Sequence, residues 1–331
     1  MSTSGSVDFS VSRDNIIQLV LEDLGVMGTG DTTSSSSFTN NSSHVANKLN
    51  MLVKQWSGNI DAAPRRKMWA RKRGYLFLCG AQGVYTLGPT TTATGTTNKW
   101  ASSYVTTTLT AAAAAGATSL TVSSITGISS GDRIGVQLTS GVMHWSTVNG
   151  APSGSTVVST AALATGASSG ARVFTYATTA QALRPLTILT ASLRQFDSSN
   201  QPTDIPAYPN MLVGQYERVA AKYTDSDPYA FYWEATLTDA TVYLPAEPSD
   251  VSKIFRMVYL SPAEDFDAAS DTPDYPQEWY LPLVLGTEYL CAPTFGRSDM
   301  LPSIKAQRDE ALMIARNAYP ETSVEYFRCN A

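Results

Sequence analysis

The chain contains 331 residues, of which 43% are hydrophobic and 15% are charged. This composition excludes a disordered solvating chain and disfavours an ordinary charge-rich cytosolic enzyme. The length predicts one to three domains. Residues 1–100 have a net charge of +4, whereas residues 181–331 have −10. A protein that wraps nucleic acid would favour a basic domain, so this asymmetry indicates a protein placed between unlike surfaces.

The three cysteines, Cys79, Cys291 and Cys329, show no CxxC spacing. An odd number of this kind predicts reduced thiols in a protein assembled in a reducing cytoplasm. Residues 1–10 lack the basic and apolar regions of a secretory signal. No uninterrupted apolar stretch reaches the roughly 18 residues that a bilayer span needs. We therefore expect a soluble protein with no usual export signal and no membrane partner.

The first predicted elements are helices at residues 12–24 and 45–58. In each, apolar residues recur at the spacing of one helical face, and Ser12 can cap the first helix. These helices are too short to bury their faces alone, so they must pack on each other and on another element. The β-prone runs 75–78 and 84–87, separated by glycines, then predict a β-hairpin.

Residues 101–180 differ in composition from both flanks. They contain 53 Ser, Thr, Gly or Ala residues and only three charged residues. β-prone runs alternate there with Gly and Ser turns at residues 119–122, 134–138, 156–158 and 173–176. The sequence SSGDRI at residues 129–134 has a weakly similar repeat, SSGARV, at residues 168–173. Two copies are too few to indicate a solenoid. We predict a small antiparallel β module, inserted as a unit whose ends lie close together and whose contacts are mostly internal.

The C-terminal part returns to an ordinary composition. Strands are predicted at residues 186–189, 231–233, 241–244 and 255–260, and helices at 211–222, 279–295 and 301–318. The predicted fold class is α+β. It comprises a helical core, made of the N-terminal helix pair and the C-terminal helices, with a mixed β region and an inserted all-β module. The predicted domains are an N-terminal core part at 1–100, the β module at 101–180 and a C-terminal core part at 181–331.

Two G-x-S-x-G motifs, around Ser129 and Ser168, match the nucleophile elbow of hydrolases. Such an elbow needs a strand before it, a helix after it, and a histidine and a carboxylate to activate the hydroxyl. The two histidines, His44 and His144, both precede Ser168. We therefore predict turns at both motifs. The sequence offers no other catalytic constellation and no cofactor or metal motif, so we expect no enzymatic activity.

Six basic side chains occur within residues 65–73: Arg65, Arg66, Lys67, Arg71, Lys72 and Arg73. Such charges can keep an exposed strand edge from aggregating. They can also contact phosphates or an acidic protein surface. Because the whole chain is acidic, general DNA binding is disfavoured. Three interpretations stay open: a solvated edge, a contact with a protein, and one brief contact with DNA.

Residues 264–278 contain six acidic side chains and no basic one: Glu264, Asp265, Asp267, Asp271, Asp274 and Glu278. The run lacks the central glycine and the closing glutamate of an EF-hand calcium loop. A pair of glycosidase carboxylates could be chosen at any separation within such a run, which makes that assignment uninformative. We predict a solvated acidic surface.

Several short motifs follow one another in a recognisable order. They are Leu49-Asn50-Met51-Leu52 with Trp56 and Gly58, Tyr85-Thr86-Leu87-Gly88, Arg184-Pro185-Leu186, and Asp274-Tyr275-Pro276-Gln277-Glu278-Trp279. This order resembles the head-to-tail adaptor family of short-tailed bacteriophages, whose members are also called connectors or tail accessory factors and stabilise packaged DNA. The resemblance covers roughly residues 12–100 and 181–318. Shorter relatives lack the β module and connect the hairpin to the Arg-Pro-Leu strand more directly.

The resemblance implies a structural protein of the virion, assembled in the host cytoplasm and located at the head-to-tail junction. It implies a dodecameric ring that docks on the portal protein, extends the DNA channel and retains the genome after DNA packaging. Its further partners would be downstream tail or nozzle proteins and, transiently, double-stranded DNA. The basic part of one subunit could contact the acidic part of its neighbour. Acidic side chains facing the channel would keep passing DNA from sticking.

Portal binding is expected from the C-terminal helix and the residues after it. Small side chains along one helical face would allow close approach, and aromatic side chains would anchor the contact. The predicted portal-binding residues are Ile304, Ala311, Ala315, Ala318, Tyr326 and Phe327.

Two alternatives belong to other functional classes. A virion protein that binds a glycan or host surface through the β module would expose aromatic residues there, and Trp145 and Tyr176 are candidates. A cell-wall hydrolase would need an acid and a base that the sequence does not identify.

Overall fold

The computed structural model describes residues 9–58, 70–88, 99–180, 182–205, 210–222 and 224–318. Contacts divide the chain into two compact units. Unit 1 combines Met1–Ala70 with Pro262–Ala331, and unit 2 is Arg71–Ser261. The described part of unit 1 is mainly helical, and the regular structure of unit 2 is mainly antiparallel sheet, so the predicted mixed α+β class is confirmed.

The described residues form five α-helices and fourteen β-strands. The α-helices are α1 (Arg13–Asp23), α2 (Ser36–Gly58), α3 (Val213–Glu217), α4 (Tyr280–Cys291) and α5 (Leu301–Asn317). The strands are β1 (Arg71–Phe77), β2 (Val84–Leu87), β3 (Trp100–Ala101), β4 (Val105–Thr108), β5 (Ser119–Thr121), β6 (Arg133–Gln137), β7 (Met143–Thr147), β8 (Thr156–Val158), β9 (Arg172–Tyr176), β10 (Thr187–Phe196), β11 (Pro202–Ile205), β12 (Tyr232–Ala235), β13 (Ala240–Tyr243) and β14 (Ile254–Leu260).

The helix starts in unit 1 follow from capping. Ser12 caps α1, since its hydroxyl accepts from the Asn15 N–H at 3.3 Å while the Asn15 amide oxygen accepts from the Ser12 N–H at 3.2 Å. Helix α2 begins at Ser36, nine residues before the predicted start at residue 45. The Ser35 hydroxyl accepts from the Phe38 N–H at 3.2 Å and so supplies a cap there. Phe38 is buried, which ties this early turn to the core.

The core of unit 1 joins the four α-helices that the structure describes there. Its buried members include Ile16 and Leu21 of α1, Leu49 of α2, Leu283 of α4 and Ile304 of α5. Burial of such side chains stabilises the fold by about 1.5–3 kcal/mol each. The helical faces from the two ends of the chain are therefore buried against each other.

The five-stranded sheet of unit 2 has the strand order β11-β10-β14-β1-β3, and a three-stranded sheet has the order β12-β13-β2. The predicted hairpin of residues 75–78 and 84–87 is wrong. Strand β1 pairs with β14 and β3, whereas β2 pairs with β13 in the other sheet. Leu76 and Tyr85 lie in one apolar cluster with residues of both sheets, so the turn between β1 and β2 leads from one sheet to the other.

The four strands predicted in the β module are confirmed as β5, β6, β8 and β9. A four-stranded sheet has the order β4-β9-β6-β7, and β5 pairs with β8. The two echoed motifs lead into β6 and β9, which are paired neighbours. Each motif places a glycine in the left-handed region, Gly131 at φ 88° and Gly170 at φ 83°. The module interior is built from aliphatic side chains of Leu, Ile, Val and Ala.

The contacts of the module are not all internal. A second buried cluster joins Phe174, Tyr176 and Met143 of the module to Phe77 and Ile254 of the five-stranded sheet. The start predicted for the module also falls inside that sheet, because β3 pairs with β1. The module is therefore anchored to the sheet by a shared apolar core.

Helix α3 is shorter than the helix predicted at residues 211–222. Conversely, β10 extends well beyond the predicted run 186–189, because β14 and β11 pair with it along its length.

Candidate functional site

Three of the predicted basic contact residues, Arg65, Arg66 and Lys67, lie outside the described residues. Arg71, Lys72 and Arg73 begin β1, and all three are exposed. Strand β14 pairs with the whole of β1 on one side, whereas β3 pairs only with its second half. Among described residues, the basic end of β1 therefore lies at a strand edge. Its contact with a protein or with DNA stays a prediction.

Five of the six predicted acidic residues are exposed: Glu264, Asp265, Asp267, Asp274 and Glu278. Asp265 forms an ion pair with Lys54 of α2 at 2.6 Å. Asp271 is half-buried, and its carboxylate accepts from the N–H groups of Asp267 at 2.8 Å and Ala268 at 2.6 Å. This carboxylate closes a turn, whereas the other five reach solvent.

The predicted portal-binding face of α5 lies mostly inside unit 1, which corrects the prediction. Ile304, Ala311 and Ala315 are buried, and the small side chains allow close approach to α4 of the same chain. Ala318 is exposed. On the outside of α5, Met313 is 58% and Ile314 60% exposed. The predicted anchors Tyr326 and Phe327 lie outside the described residues.

The two G-x-S-x-G motifs form turns, as predicted. Ser129 donates its backbone N–H to Asp132 at 2.8 Å, and Ser168 precedes the left-handed Gly170. Both serines are exposed, and each motif leads into a strand where a hydrolase elbow has a helix. His44 is half-buried, and the centroid of its ring lies 6.0 Å from that of Phe295. Neither motif has the local architecture of a nucleophile elbow.

In unit 1, the motif residues from the two ends of the chain meet. The rings of Trp56, Tyr275 and Trp279 form an aromatic triad, with centroids 5.9 Å apart for Trp56–Tyr275 and 5.6 Å for Trp56–Trp279. Both contacts are edge-on, the geometry that aromatic pairs favour. Burial raises the pKa of Tyr275 to about 12. A Cβ on Gly286 would lie 2.6 Å from Leu52, so the absence of a side chain there lets α4 approach α2.

Polar contacts continue this junction along α2. The Asn50 side chain accepts from the Phe266 N–H at 2.9 Å and donates to the Phe266 carbonyl at 3.3 Å. The Ser57 hydroxyl accepts from the Ala263 N–H at 3.1 Å. The acidic segment is therefore held to α2 by side chains that satisfy its backbone.

In unit 2, two further motif residues meet at the β12–β13 turn, residues 236–239. The Arg184 guanidinium donates to the carbonyl oxygens of Thr236 and of Leu237, the latter at 3.3 Å. Gly88 lies so close that a Cβ there would be 2.1 Å from a carboxylate oxygen of Asp239. The turn also closes on itself, since the Thr236 hydroxyl donates to the Asp239 carbonyl at 2.8 Å. At its tip, Leu237 is 97% exposed. The turn thus exposes the Leu237 side chain on a backbone that hydrogen bonds hold in place.

Trp145 and Tyr176, the aromatic residues predicted for a glycan-binding surface, pack at the junction between the β module and the five-stranded sheet. Tyr176 is buried and stacks on Phe77 at 5.4 Å, with an interplanar angle of 10°. The half-buried Trp145 ring lies 5.1 Å from the same Phe77 ring. These contacts anchor the module and remove the observation on which the glycan hypothesis relied.

Beside this junction lies a cleft of about 340 Å³. Its lining includes Tyr75, Tyr104, Arg194 and Phe196. Arg194 binds Asp204 through two nitrogens at 2.7 and 2.8 Å and also donates to the Tyr104 hydroxyl at 3.2 Å. The Arg194 hydrogen bonds are the main cause that lowers the pKa of Asp204. This carboxylate stays ionised and structural, which makes it a poor general base at neutral pH.

A carboxyl group is buried in unit 1. Glu288 of α4 is 4% exposed and lies beside Asp23 at the end of α1. Burial, together with Asp23, raises the pKa of Glu288 to about 8. At neutral pH the group is therefore mostly protonated and can share its proton with Asp23. The sequence held one signal for it, because Glu288 is the only charged residue in 279–295.

Neither a protein-family model nor a curated protein matches this chain. Within the described ranges, no helix is long and apolar enough to cross a membrane. No group of three or more His, Cys, Asp or Glu side chains in the described part of the chain could hold a metal ion.

Proposed function

We propose that the protein is the ring-forming head-to-tail adaptor of a short-tailed bacteriophage. It docks on the portal protein, extends the DNA channel, retains the packaged genome and offers a platform for tail proteins. Its finer architecture is a helical core with a β module inserted in the intervening β region. The ring is a dodecamer at the head-to-tail junction of the virion, and the function is structural and not enzymatic.

The observation that supports this proposal best is the convergence of the motif residues. Residues that suggested the resemblance lie far apart in sequence, yet Trp56 meets Tyr275 and Trp279 in unit 1. Gly88 and Arg184 meet at the β12–β13 turn in unit 2. A chance series of short motifs has no reason to form two spatial clusters.

The exposed charges fit subunits that contact one another head to tail in a ring. The basic end of β1 and the acidic segment are both exposed and belong to different units. In a heterologous ring, one patch of each subunit faces a different patch of its neighbour. Ring formation should therefore weaken as salt is raised, because exposed charges are screened within about 10 Å at 0.1 M salt.

Portal binding is proposed for the residues after α5 and for the exposed face of that helix. Truncation at Pro302 would remove Ile304 and Ala311 from the core and unfold unit 1. Removal of residues 319–331 leaves those side chains in place and removes Tyr326 and Phe327. This shorter truncation should preserve the fold and weaken portal binding. Unchanged portal binding would exclude the tail as an anchor.

The decisive experiment mixes the purified full-length protein with the portal protein encoded by the same genome. The protein alone should scatter light as a monomer or weak oligomer, and electron microscopy should show a ring on the portal after mixing. Stable large rings without portal would contradict the assembly order. A well-folded protein that forms no complex with portal would overturn the proposed function.

A further inference from the structure

Lys99 and Cys79 form a buried polar pair in unit 2. Lys99 is 8% and Cys79 is 6% exposed, and the Lys99 amine donates a hydrogen bond to the Cys79 sulfur. A buried ammonium group is usually paired with a carboxylate, because a charge that leaves water unpaired is costly. Here the amine faces a thiol. A nucleophilic nitrogen is therefore held in contact with an oxidisable sulfur.

The surrounding backbone fixes both residues. The Phe77 N–H donates to the Lys99 carbonyl at 2.8 Å, next to the β1–β3 pairing. The Tyr85 hydroxyl accepts from the Cys79 N–H at 3.0 Å and donates to the Cys79 carbonyl at 3.2 Å. Burial raises the pKa of the Cys79 thiol, and the nearby Lys99 opposes that shift. The thiol should therefore oxidise slowly, but the amine is already in place when it does.

We propose that Cys79 and Lys99 are a modification site at which a hydroperoxide drives formation of a sulfenamide bond between Sγ and Nζ. Hydrogen peroxide first transfers one oxygen atom to the Cys79 sulfur, and the thiol proton leaves with the other peroxide oxygen, so that a sulfenic acid and one water form. Sulfenic acids condense with nearby thiols or nitrogens. The lone pair of the Lys99 nitrogen then attacks sulfur, the S–O bond breaks, and hydroxide leaves with a proton from nitrogen as a second water.

The reaction balances without any further reactant. One peroxide and two hydrogen atoms of the protein become two waters. Sulfur loses two electrons, and the peroxide gains them. The product joins the end of β1 to the residue before β3 and is lighter than the reduced protein by two hydrogen atoms. A thiol such as dithiothreitol should reverse it by attack on sulfur.

The test is peptide mass mapping of the full-length protein after hydrogen peroxide treatment under native conditions. Trypsin cleaves after Arg73 and Lys99, so the unmodified site yields peptide 74–99, which contains Cys79. A bond to Nζ removes the positive charge that trypsin requires. The expected product is peptide 74–133, lighter by two hydrogens, and dithiothreitol should restore peptide 74–99.

The matched variant is Lys99→Arg, which keeps a positive charge and a trypsin site but replaces the amine by a poor nucleophile. It should give no loss of two hydrogens, and dimedone should trap the sulfenic acid at Cys79. The wild-type measurement decides the proposal even where this variant folds poorly. Recovery of peptide 74–99 with Cys79 reduced, or with Cys79 over-oxidised and cleavage at Lys99 intact, would overturn it. A linked product that retains one oxygen atom would also overturn the sulfenamide.

Discussion

One acidic side chain in each unit shows how different the surroundings of a carboxyl group are in the two units. In unit 1, Glu288 lies against a second acid, Asp23, and its pKa is raised to about 8. In unit 2, Asp204 lies between Arg194 and Arg256, and its pKa is lowered. A raised carboxyl pKa means that folding disfavours the ionised form, and a lowered pKa means that folding favours it. A rise in pH should therefore destabilise unit 1 through Glu288, whereas a fall in pH should destabilise unit 2 through Asp204.

The units also differ in what fills their cores. Unit 1 buries mostly aliphatic helical faces, whereas the junction between module and sheet in unit 2 is rich in aromatic rings. An aromatic ring at such a junction contributes more apolar contact per residue than an aliphatic side chain. The most damaging single substitutions are therefore expected in unit 2.

The largest expected effect is for Phe174→Ala. Phe174 is fully buried, and its ring centroid lies 5.3 Å from that of Phe77 and 5.8 Å from that of Phe196. Removing the ring leaves a cavity at the junction, so the free energy of unfolding should fall by about 3–5 kcal/mol. The fall in the free energy of unfolding can be measured by urea unfolding of the full-length protein, with hydrogen exchange used to monitor unit 2.

The neighbouring residue supplies the control for that experiment. Val173 belongs to the aliphatic interior of the module. Val173→Ala removes two methyl groups and should cost about 2 kcal/mol. A larger loss for Val173→Ala than for Phe174→Ala would show that the module interior, and not its junction, limits the stability of unit 2.

The next effect is expected for Glu288→Gln in unit 1. The folded state binds the Glu288 proton more tightly than the unfolded chain does. Stability should therefore fall as pH rises from the ordinary pKa of 4.5 to about 8. The loss of stability by pH 8 should be on the order of 4 kcal/mol. Glutamine stays neutral and can still donate to Asp23, so the variant should be more stable than wild type at pH 8.

Hydrogen exchange of α4 across this pH range measures the effect within unit 1. Glu310→Gln removes the same charge from an exposed position on α5 and serves as the control. It should leave the pH dependence unchanged. Equal behaviour of the two variants would contradict the role assigned to the buried carboxyl.

A smaller effect on stability is expected for Asp204→Asn in unit 2, and its pH dependence should be opposite to that of Glu288→Gln. The lowered pKa of Asp204 means that its stabilising effect is present above the ordinary pKa of 3.8 and is lost as pH falls through the lower folded value. The substitution should cost about 1–3 kcal/mol at neutral pH, because it leaves Arg194 and Arg256 without their carboxylate. It should also reduce the acid sensitivity of unit 2.

An exposed ion pair of the same unit is the reference for this measurement. Lys222 and Glu217 lie 3.0 Å apart, with the Glu217 side chain 65% exposed. Exposed pairs of this kind contribute roughly 0–1 kcal/mol. If Glu217→Gln destabilised unit 2 as much as Asp204→Asn, then the partial burial of the Asp204 ion pairs would not explain the effect of Asp204→Asn.

Local sequence patterns predicted where helices and strands lie better than they predicted which strands pair. The capping signal at Ser12 and the β-prone run 156–158 correspond to observed boundaries of α1 and β8. The hairpin was predicted wrongly because β propensity does not say which strand lies beside another. Strand β1 instead pairs with β14, from Arg71↔Leu260 to Phe77↔Ile254, far along the chain.

The site residues show the same limit. The periodicity of α5 revealed an apolar stripe but not its partner, and that stripe lies on α4 instead of facing outward. The contact between Cys79 and Lys99 depends on the β1–β3 pairing, which no local pattern predicts. Leu237 was overlooked because an apolar residue in a turn becomes informative only when its exposure is known.

The smallest effect on stability, with a large effect on assembly, is expected for Leu237→Ser. The side chain is 97% exposed, so its replacement should change the free energy of unfolding by less than about 0.5 kcal/mol. Under the proposed function, the braced β12–β13 turn offers Leu237 to the neighbouring subunit, and an anchor of this kind can dominate a contact. Ring formation on the portal, counted by electron microscopy, should fall at least tenfold, whereas Thr238→Ser at the same turn should assemble normally. A Leu237→Ser protein that forms complete rings would exclude this turn from the subunit contact while leaving the adaptor function open to the portal-binding test.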